Sequence, residues 1–240
     1  MTDAVRAEIA ATGSLRVGIN LGNMLLVTDR EADGTPVGVA PDLAKALAAK
    51  LDVPATLIPF PKVGQVADAI SGPDVDIGLI AWEPERAETI AFSKPYVEIE
   101  ATYLIAPGAP FNAIGEVDRP GVRIAVADRA AYDLYLKRTL EHAELVRAPG
   151  LDGAFQLFRD EKMQVLAGLR PALTQNAVEM PGARVLPGQY TSIQQAIGTK
   201  PGNRAARDFI NAFLDEANAS GLIAELLERH AVADSLSIAP

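Results

Sequence analysis

Val75-Asp76-Ile77-Gly78-Leu79-Ile80-Ala81 runs straight into Trp82-Glu83-Pro84-Glu85-Arg86. Near-continuous apolar residues read as a strand buried on both faces, the habit of a parallel sheet covered by helices. Pro84-Glu85-Arg86 reads as the opening of a helix. Outward from this stretch the same alternation repeats. Leu15-Arg16-Val17-Gly18-Ile19 is a second buried-type strand, ending at Asn20. Glu31 to Pro36 is turn chemistry, with Asp33-Gly34 as the hairpin cue. Gly38-Val39-Ala40-Pro41-Asp42-Leu43-Ala44-Lys45-Ala46-Leu47 opens a helix, with Pro41 in its first turn and Leu43, Ala46, Leu47 and Leu51 at helical spacing. Ala55 to Phe60 reads as a strand, and Val63 to Ile70 as a short helix stopped by Ser71-Gly72-Pro73. Such a succession predicts a parallel sheet with helices on both faces.

A second unit of the same kind comes after Thr102-Tyr103-Leu104-Ile105-Ala106. Strands are expected at Arg123 to Ala127 and Gln164 to Gly168, and helices at Ala130 to Glu141, Leu151 to Phe158 and Pro171 to Glu179. Gln195 to Gly202 reads as a strand and turn, before helices at Asn203 to Ala219 and Leu222 to His230. Asp234 to Pro240 reads as a frayed tail. Two α/β units joined by extended strands, without a Gly/Ser linker, imply a hinge of strand crossings.

Composition narrows the function classes. The chain has 240 residues, enough for one large domain or two of about 100 each. Its net charge of −9 argues against nucleic acid, which needs a basic surface. No apolar run approaches the roughly 18 residues of a membrane span. There is no cysteine, so disulfides, thiolate metal sites and cysteine nucleophiles are excluded. The two histidines, His142 and His230, lie in charged helical contexts and read as solvated structural residues, which leaves a Ser/His/Asp triad or a zinc site without support. No cofactor or metal is expected. The stretch from Met1 to Ala10 has no apolar h-region and is not a secretory signal, so a cytoplasmic protein is one expectation.

The helix opener at Gly38 to Leu47, Pro84-Glu85-Arg86 and Phe92-Ser93-Lys94-Pro95-Tyr96 together resemble the family 3 extracellular solute-binding proteins, the polar amino-acid receptors of ABC importers. The closing pattern is similar too: Ala196-Ile197-Gly198-Thr199-Lys200-Pro201-Gly202, Asn211-Ala212-Phe213-Leu214 and Ser220-Gly221-Leu222. The resemblance runs from about Leu15 to His230 and implies an α/β, two-lobed type II periplasmic-binding-protein fold. Each lobe would be a mostly parallel sheet flanked by helices, with a hinge of two crossing strands. Residues 1–98 and 193–240 would form one lobe and 99–192 the other. It further implies a periplasmic location, a monomer, a small-molecule ligand (an amino acid or carboxylic acid) between the lobes, and an ABC permease as partner.

By the resemblance, Arg86 grips a ligand carboxylate, a task suited to a bidentate guanidinium. The structural alternative is a surface ion pair with Glu83 or Glu85. Asn20 and Asn23 stand where the family usually has an acid and an aromatic. As amides they can bond a polar ligand, or simply cap a turn. Ala81, Trp82 and Glu83 occupy a segment about two residues shorter than the family's, without its hydroxyl donors. Trp82 either replaces the aromatic wall or packs in the core or at the lobe edge. In the second lobe, Asp128-Arg129-Ala130-Ala131-Tyr132 replaces a Gly-Thr-Thr run. Free helix amides remain there, with Arg129 as a second positive group and Tyr132 as a hydroxyl. Alternatively Asp128 is only an N-cap and Arg129 a solvated side chain. Leu169 stands about where the family has the aspartate that pairs with an α-ammonium. A leucine cannot do so, and a zwitterionic amino acid would bind badly unless another acid substitutes, with Glu83 as one candidate; Arg170 beside it suggests instead a more anionic ligand. The sequence also leaves open a dehydratase-type enzyme on this scaffold, with Glu83 as its acid, and a ligand-sensing adaptor.

Overall fold

The computed structural model describes residues 2–239, so Met1 and Pro240, the outer ends of the N-terminal stretch and of the tail, lie outside the described residues. The chain divides into two compact units: unit 1 runs to Glu98 and resumes at Gln194, and unit 2 is Ile99–Ile193.

Unit 1 begins with α1 (Thr2–Ile9), β1 (Leu15–Asn20), the small hairpin β2 (Asp29–Arg30) and β3 (Pro36–Val37), and α2 (Val39–Lys50). It continues through β4 (Ala55–Phe60), α3 (Val63–Ser71), β5 (Ile77–Ala81) and the single turn α4 (Pro84–Ala87). β6 (Ala91–Ile105) carries the chain into unit 2. Unit 2 then adds β7 (Arg123–Ala127), α5 (Ala131–Thr139), β8 (Glu144–Ala148), α6 (Gly150–Asp160), β9 (Val165–Leu169), α7 (Arg170–Glu179) and β10 (Arg184–Val185). β11 (Thr191–Thr199) returns to unit 1, which α8 (Arg204–Ala219), α9 (Leu222–Arg229) and β12 (Ser237–Ile238) complete.

The sheet of unit 1 has the order β4-β1-β5-β11, with β4, β1 and β5 parallel and β11 antiparallel. Every residue of β5 is buried, as its apolar run implies. Gly18, Gly78 and Gly198 pair side by side across β1, β5 and β11. This row of missing side chains lets α3 lie close on the sheet. A Cβ at Gly78 would stand 2.6 Å from Ile70 Cδ1 and 2.9 Å from Val66 Cγ1. The side chains that fill the row belong to one apolar cluster, with Val66, Ile70 and Ile90 at its centre. In unit 2, β7, β8 and β9 are parallel, and β6 runs antiparallel to β9. α5 packs on β8 and β9, and α6 on β7, β8 and β9.

Several elements differ from the sequence expectation. α1 is an addition to it. This helix packs on α8 through Val5 and Ile9, Arg6 Nη2 donates to the Leu51 carbonyl at 2.7 Å, and Glu8 Oε2 accepts the Ala206 N–H at 2.7 Å. β6 begins at Ala91 rather than Thr102, because Pro95 sits in the strand without breaking it. β8 is a further addition, since Glu144-Leu145-Val146-Arg147-Ala148 is half exposed and lacks a long apolar run. The tail is not frayed. β12 pairs with Val97 and Glu98 of β6, and Leu236 and Ala239 are buried. Nor is His230 solvated: its ring is buried, with Nε2 2.9 Å from Asp42 Oδ2.

Two substitutions test this packing. Gly78→Ala forces a methyl into α3 and is expected to lower unfolding stability by about 1–3 kcal/mol in urea denaturation; a loss under about 0.5 kcal/mol would show that the row is not tight. Leu236→Ala is expected to remove about 2 kcal/mol, whereas a frayed tail would leave the denaturation midpoint unchanged.

Candidate functional site

In a parallel sheet, ligand groups gather where strands end and helices begin, because backbone N–H groups and loop side chains converge there. In unit 1 these are the ends of β1 and β5. Asn20 is the last residue of β1, and its Oδ1 accepts the Gly22 N–H at 3.1 Å. Asn23 is buried, and its Oδ1 accepts the Leu25 N–H at 3.2 Å. Both amide oxygens therefore shape the loop.

Ala81 ends β5, and its carbonyl accepts a hydrogen bond from Arg86 Nη1 at 2.7 Å. Glu83 is the N-cap residue of α4, and Pro84 opens the turn. Two residues on, Arg86 folds its side chain back over the strand end. It is only 6 % exposed, so it is not a surface group. Glu83 is 4 % exposed. Trp82 is 42 % exposed, so it is not a core residue, and its N–H is fixed to the Gln194 carbonyl at 2.8 Å. Arg86 also organises the chain leaving α4: its carbonyl accepts the N–H groups of Thr89 and Ile90 at 3.1 and 3.0 Å.

The neighbouring Phe92-Ser93-Lys94-Pro95-Tyr96 segment is structural. Ser93 Oγ accepts the Ile197 N–H at 3.0 Å and donates to the Lys94 carbonyl at 2.7 Å. Lys94 donates its N–H to Asn211 Oδ1 and pairs with Asp215, both at 2.8 Å.

In unit 2 the corresponding places are the ends of β7 and β9. Asp128 is not the N-cap of α5; Ala130 is. The capping carboxylate comes instead from Asp133, whose Oδ2 accepts the Arg129 N–H at 3.0 Å. Arg129 itself sits at φ 58°, an unusual conformation for a non-glycine residue, with an exposed side chain. Asp133 is 1 % exposed and held by Arg147, with Nε 3.1 Å from Oδ2 and Nη2 2.9 Å from Oδ1. Tyr132 is 3 % exposed, and its hydroxyl has no hydrogen-bond partner among the described residues. Burial, with Asp133 nearby, raises its phenol above the usual tyrosine range.

Leu169 ends β9 buried, and Arg170 opens α7. The Arg170 guanidinium is engaged at every nitrogen: Nε with Glu100, Nη1 with the Leu186 carbonyl at 3.2 Å, and Nη2 with the Gly188 carbonyl. It ties the segment before β11 to unit 2 rather than standing ready for an anion.

Unit 1 thus brings together Asn20, Asn23, Ala81, Trp82, Glu83 and Arg86 on the ends of paired strands, and unit 2 places Arg129, Ala130 and Tyr132 after β7 and Leu169 and Arg170 after β9. Asp133, Arg147 and Tyr190 carry no mark in the sequence. Only Tyr132 and Tyr135, three apart on a helix, hint at an aromatic face. Among the described residues, no group of three or more His, Asp or Glu side chains is arranged to hold a metal ion, and no helix is long and apolar enough to cross a membrane.

Comparison with known proteins agrees with this architecture. No curated protein sequence matches the chain. Among solved structures, a mutant of ArgBP from T. maritima is 21 % identical, with a TM-score of 0.77 over 95 % of this chain and 99 % of that one. AncCDT-1, described as an ancestral amino acid-binding protein and precursor of cyclohexadienyl dehydratase, is 22 % identical, with a TM-score of 0.77 over 93 % and 97 %. The amino acid ABC transporter substrate-binding protein AbpA of Streptococcus pneumoniae, bound to L-arginine, is 17 % identical, with a TM-score of 0.77 over 95 % and 98 %. These similarities show the fold, the two-lobed type II periplasmic-binding-protein architecture. The sequence pattern of one family extends over residues 15–233, and the chain belongs to the bacterial extracellular solute-binding proteins, family 3.

Proposed function

We propose that this protein is the substrate-binding component of an ABC-type importer, and that units 1 and 2 are lobes that close on a small carboxylate-bearing solute. β6 and β11, the strands that pass between the units, would be the hinge. Arg86 carries the reading. A guanidinium this buried, at the end of a parallel strand, suits a bidentate grip on a carboxylate. Asn20 and Asn23 offer amide donors, Trp82 an exposed aromatic face, and Ala81 and Glu83 the rim. From unit 2, Ala130 brings the first amides of α5, Arg129 an exposed positive group and Tyr132 a hydroxyl.

Leu169 narrows the solute. A buried ammonium without a carboxylate partner costs several kcal/mol and Leu169 supplies none, so an organic acid lacking the amino group is favoured over a zwitterion unless Glu83 takes that part. Arg170, engaged by Glu100 and two carbonyls, acts as a clamp within unit 2. A solute that touches both lobes stabilises the closed state, so closure is a population shift that a permease can read. The family is extracellular by its description, which supports action outside the cytoplasm; a monomer suits free lobe motion.

A second reading, a dehydratase-type enzyme, has one specific support, the buried Glu83 as general acid. Turnover of a bound solute would favour it; recovery of the solute intact favours the receptor.

Calorimetry against mono- and dicarboxylates and amino acids tests the proposal. An acid is expected to bind, and Arg86→Lys to weaken that binding by about 10–100-fold, the worth of a charge-assisted pair. Absence of binding by every compound, or an unchanged Kd in the Arg86→Lys protein, would contradict it.

A further inference from the structure

Gln194 is the first residue of unit 1 on the returning strand β11, as Glu98 is the last on the departing strand β6. The Gln194 carbonyl accepts the Trp82 N–H at 2.8 Å, and its side-chain Nε2 donates to Glu98 Oε1 at 3.0 Å. One residue thus ties the end of β5 to β6. The next residue, Gln195, lies opposite Ala81, whose carbonyl takes Arg86 Nη1 at 2.7 Å. Arg86 therefore folds back onto a strand end that Gln194 and Gln195 hold from the side.

Glu98 is fixed in turn by the C-terminal tail. β12 sets Ser237 opposite Glu98 and Ile238 opposite Val97, and the Ala239 N–H donates to the Tyr96 carbonyl at 3.3 Å. Leu236 and Ala239 are buried on either side of this pair. The tail follows His230, itself held 2.9 Å from Asp42 Oδ2, so it is fastened at both ends. β12 lies outside the residues 15–233 that match the family. A strand of two residues has no stability of its own. Its effect comes through what it holds, the last ladder positions of β6 inside unit 1.

These contacts form one series within unit 1: β12 to Glu98, Glu98 to Gln194, Gln194 to Trp82, and the adjoining Ala81 to Arg86. Strand ends exposed to water are the first parts of a sheet to open. Trp82 is the first residue past β5 and is exposed, so its N–H bond to Gln194 is what closes this end of the ladder.

Resting on the receptor reading of Arg86, we infer that Glu98 and Gln194 are positioning residues for the solute site. Braced by the C-terminal strand, they hold the Ala81-Trp82 strand end that seats Arg86. The tail then acts on solute affinity through β6.

Amide hydrogen exchange on the full chain without solute tests the positioning directly. Trp82 is the only tryptophan, so isotope-labelled tryptophan marks a single backbone amide. Gln194→Glu sets two carboxylates against each other and should speed exchange of the Trp82 N–H by about tenfold, the worth of one hydrogen bond. Gln194→Ala, which only deletes the donor, should do the same. The reciprocal variant Glu98→Gln/Gln194→Glu rebuilds the pair with its roles reversed and should restore slow exchange. Ala239→Pro removes the N–H that Tyr96 accepts and should speed the Trp82 amide by about threefold. The Ala206 amide, held by Glu8 at 2.7 Å elsewhere in unit 1, should keep its rate in all four proteins. Equal acceleration at Ala206 would mean general destabilisation and overturns the inference. So does an unchanged Trp82 rate in either Gln194 variant or in Ala239→Pro, or failure of the reciprocal variant to restore it. In calorimetry, every mono- or dicarboxylate that binds the unaltered protein should bind Gln194→Glu about tenfold more weakly and recover in the reciprocal variant; unchanged affinity overturns the positioning role. The exchange measurements contain no solute, so their failure leaves the receptor reading standing, and failure of every acid to bind contradicts that reading while exchange still decides the hold on Trp82.

Discussion

Burying a guanidinium costs several kcal/mol unless acceptors surround it, and Arg86 lies almost wholly inside unit 1. Much local structure comes from meeting that demand. β5 runs buried through the sheet and delivers the Ala81 carbonyl to the strand end, where Nη1 reaches it. Pro84 starts a turn tight enough to bring the side chain back over its own strand. The Arg86 carbonyl then takes two N–H groups and steers the chain toward β6. A cation so placed holds its charge away from water, which raises the value of any ion pair it makes.

Unit 2 meets the same kind of problem with different chemistry. Its buried charge is a carboxylate, Asp133, whose Oδ2 accepts from Arg147 and the Arg129 N–H, while Oδ1 is ion-paired with Arg147 but has no hydrogen-bond partner among the described residues. Its arginine at the end of β9 is matched by Glu100. At the same strand ends unit 2 also presents the exposed Arg129 side chain and the start of α5.

The fold is largely legible because its central strands are continuous apolar runs. Val75 to Ala81 and Gln164 to Gly168 read as buried strands, and β5 (Ile77–Ala81) and β9 (Val165–Leu169) are buried along their whole length. Half-exposed β8 and two-residue β12 carry no such signal, and their existence depends on partners distant in sequence. The glycine row is invisible for the same reason: Gly18, Gly78 and Gly198 become neighbours only once the register is set. At the site, short-range features are readable. Pro84-Glu85-Arg86 and the start of α5 lie within a few residues of the groups they organise. Long-range ones are not. Nothing near Arg170 in sequence announces Glu100 or the Gly188 carbonyl, and nothing near Tyr103 announces Tyr190.

A receptor binds its solute and returns it unchanged, whereas an enzyme on the same scaffold would consume it. Proton NMR of a carboxylate and amino-acid mixture, incubated with the protein and monitored over a day, separates these directly. The account predicts that the signals of an acid broaden or shift on adding protein, recover when the protein is removed, and lose no intensity to new species. New product signals, or no perturbation of any compound, would contradict it.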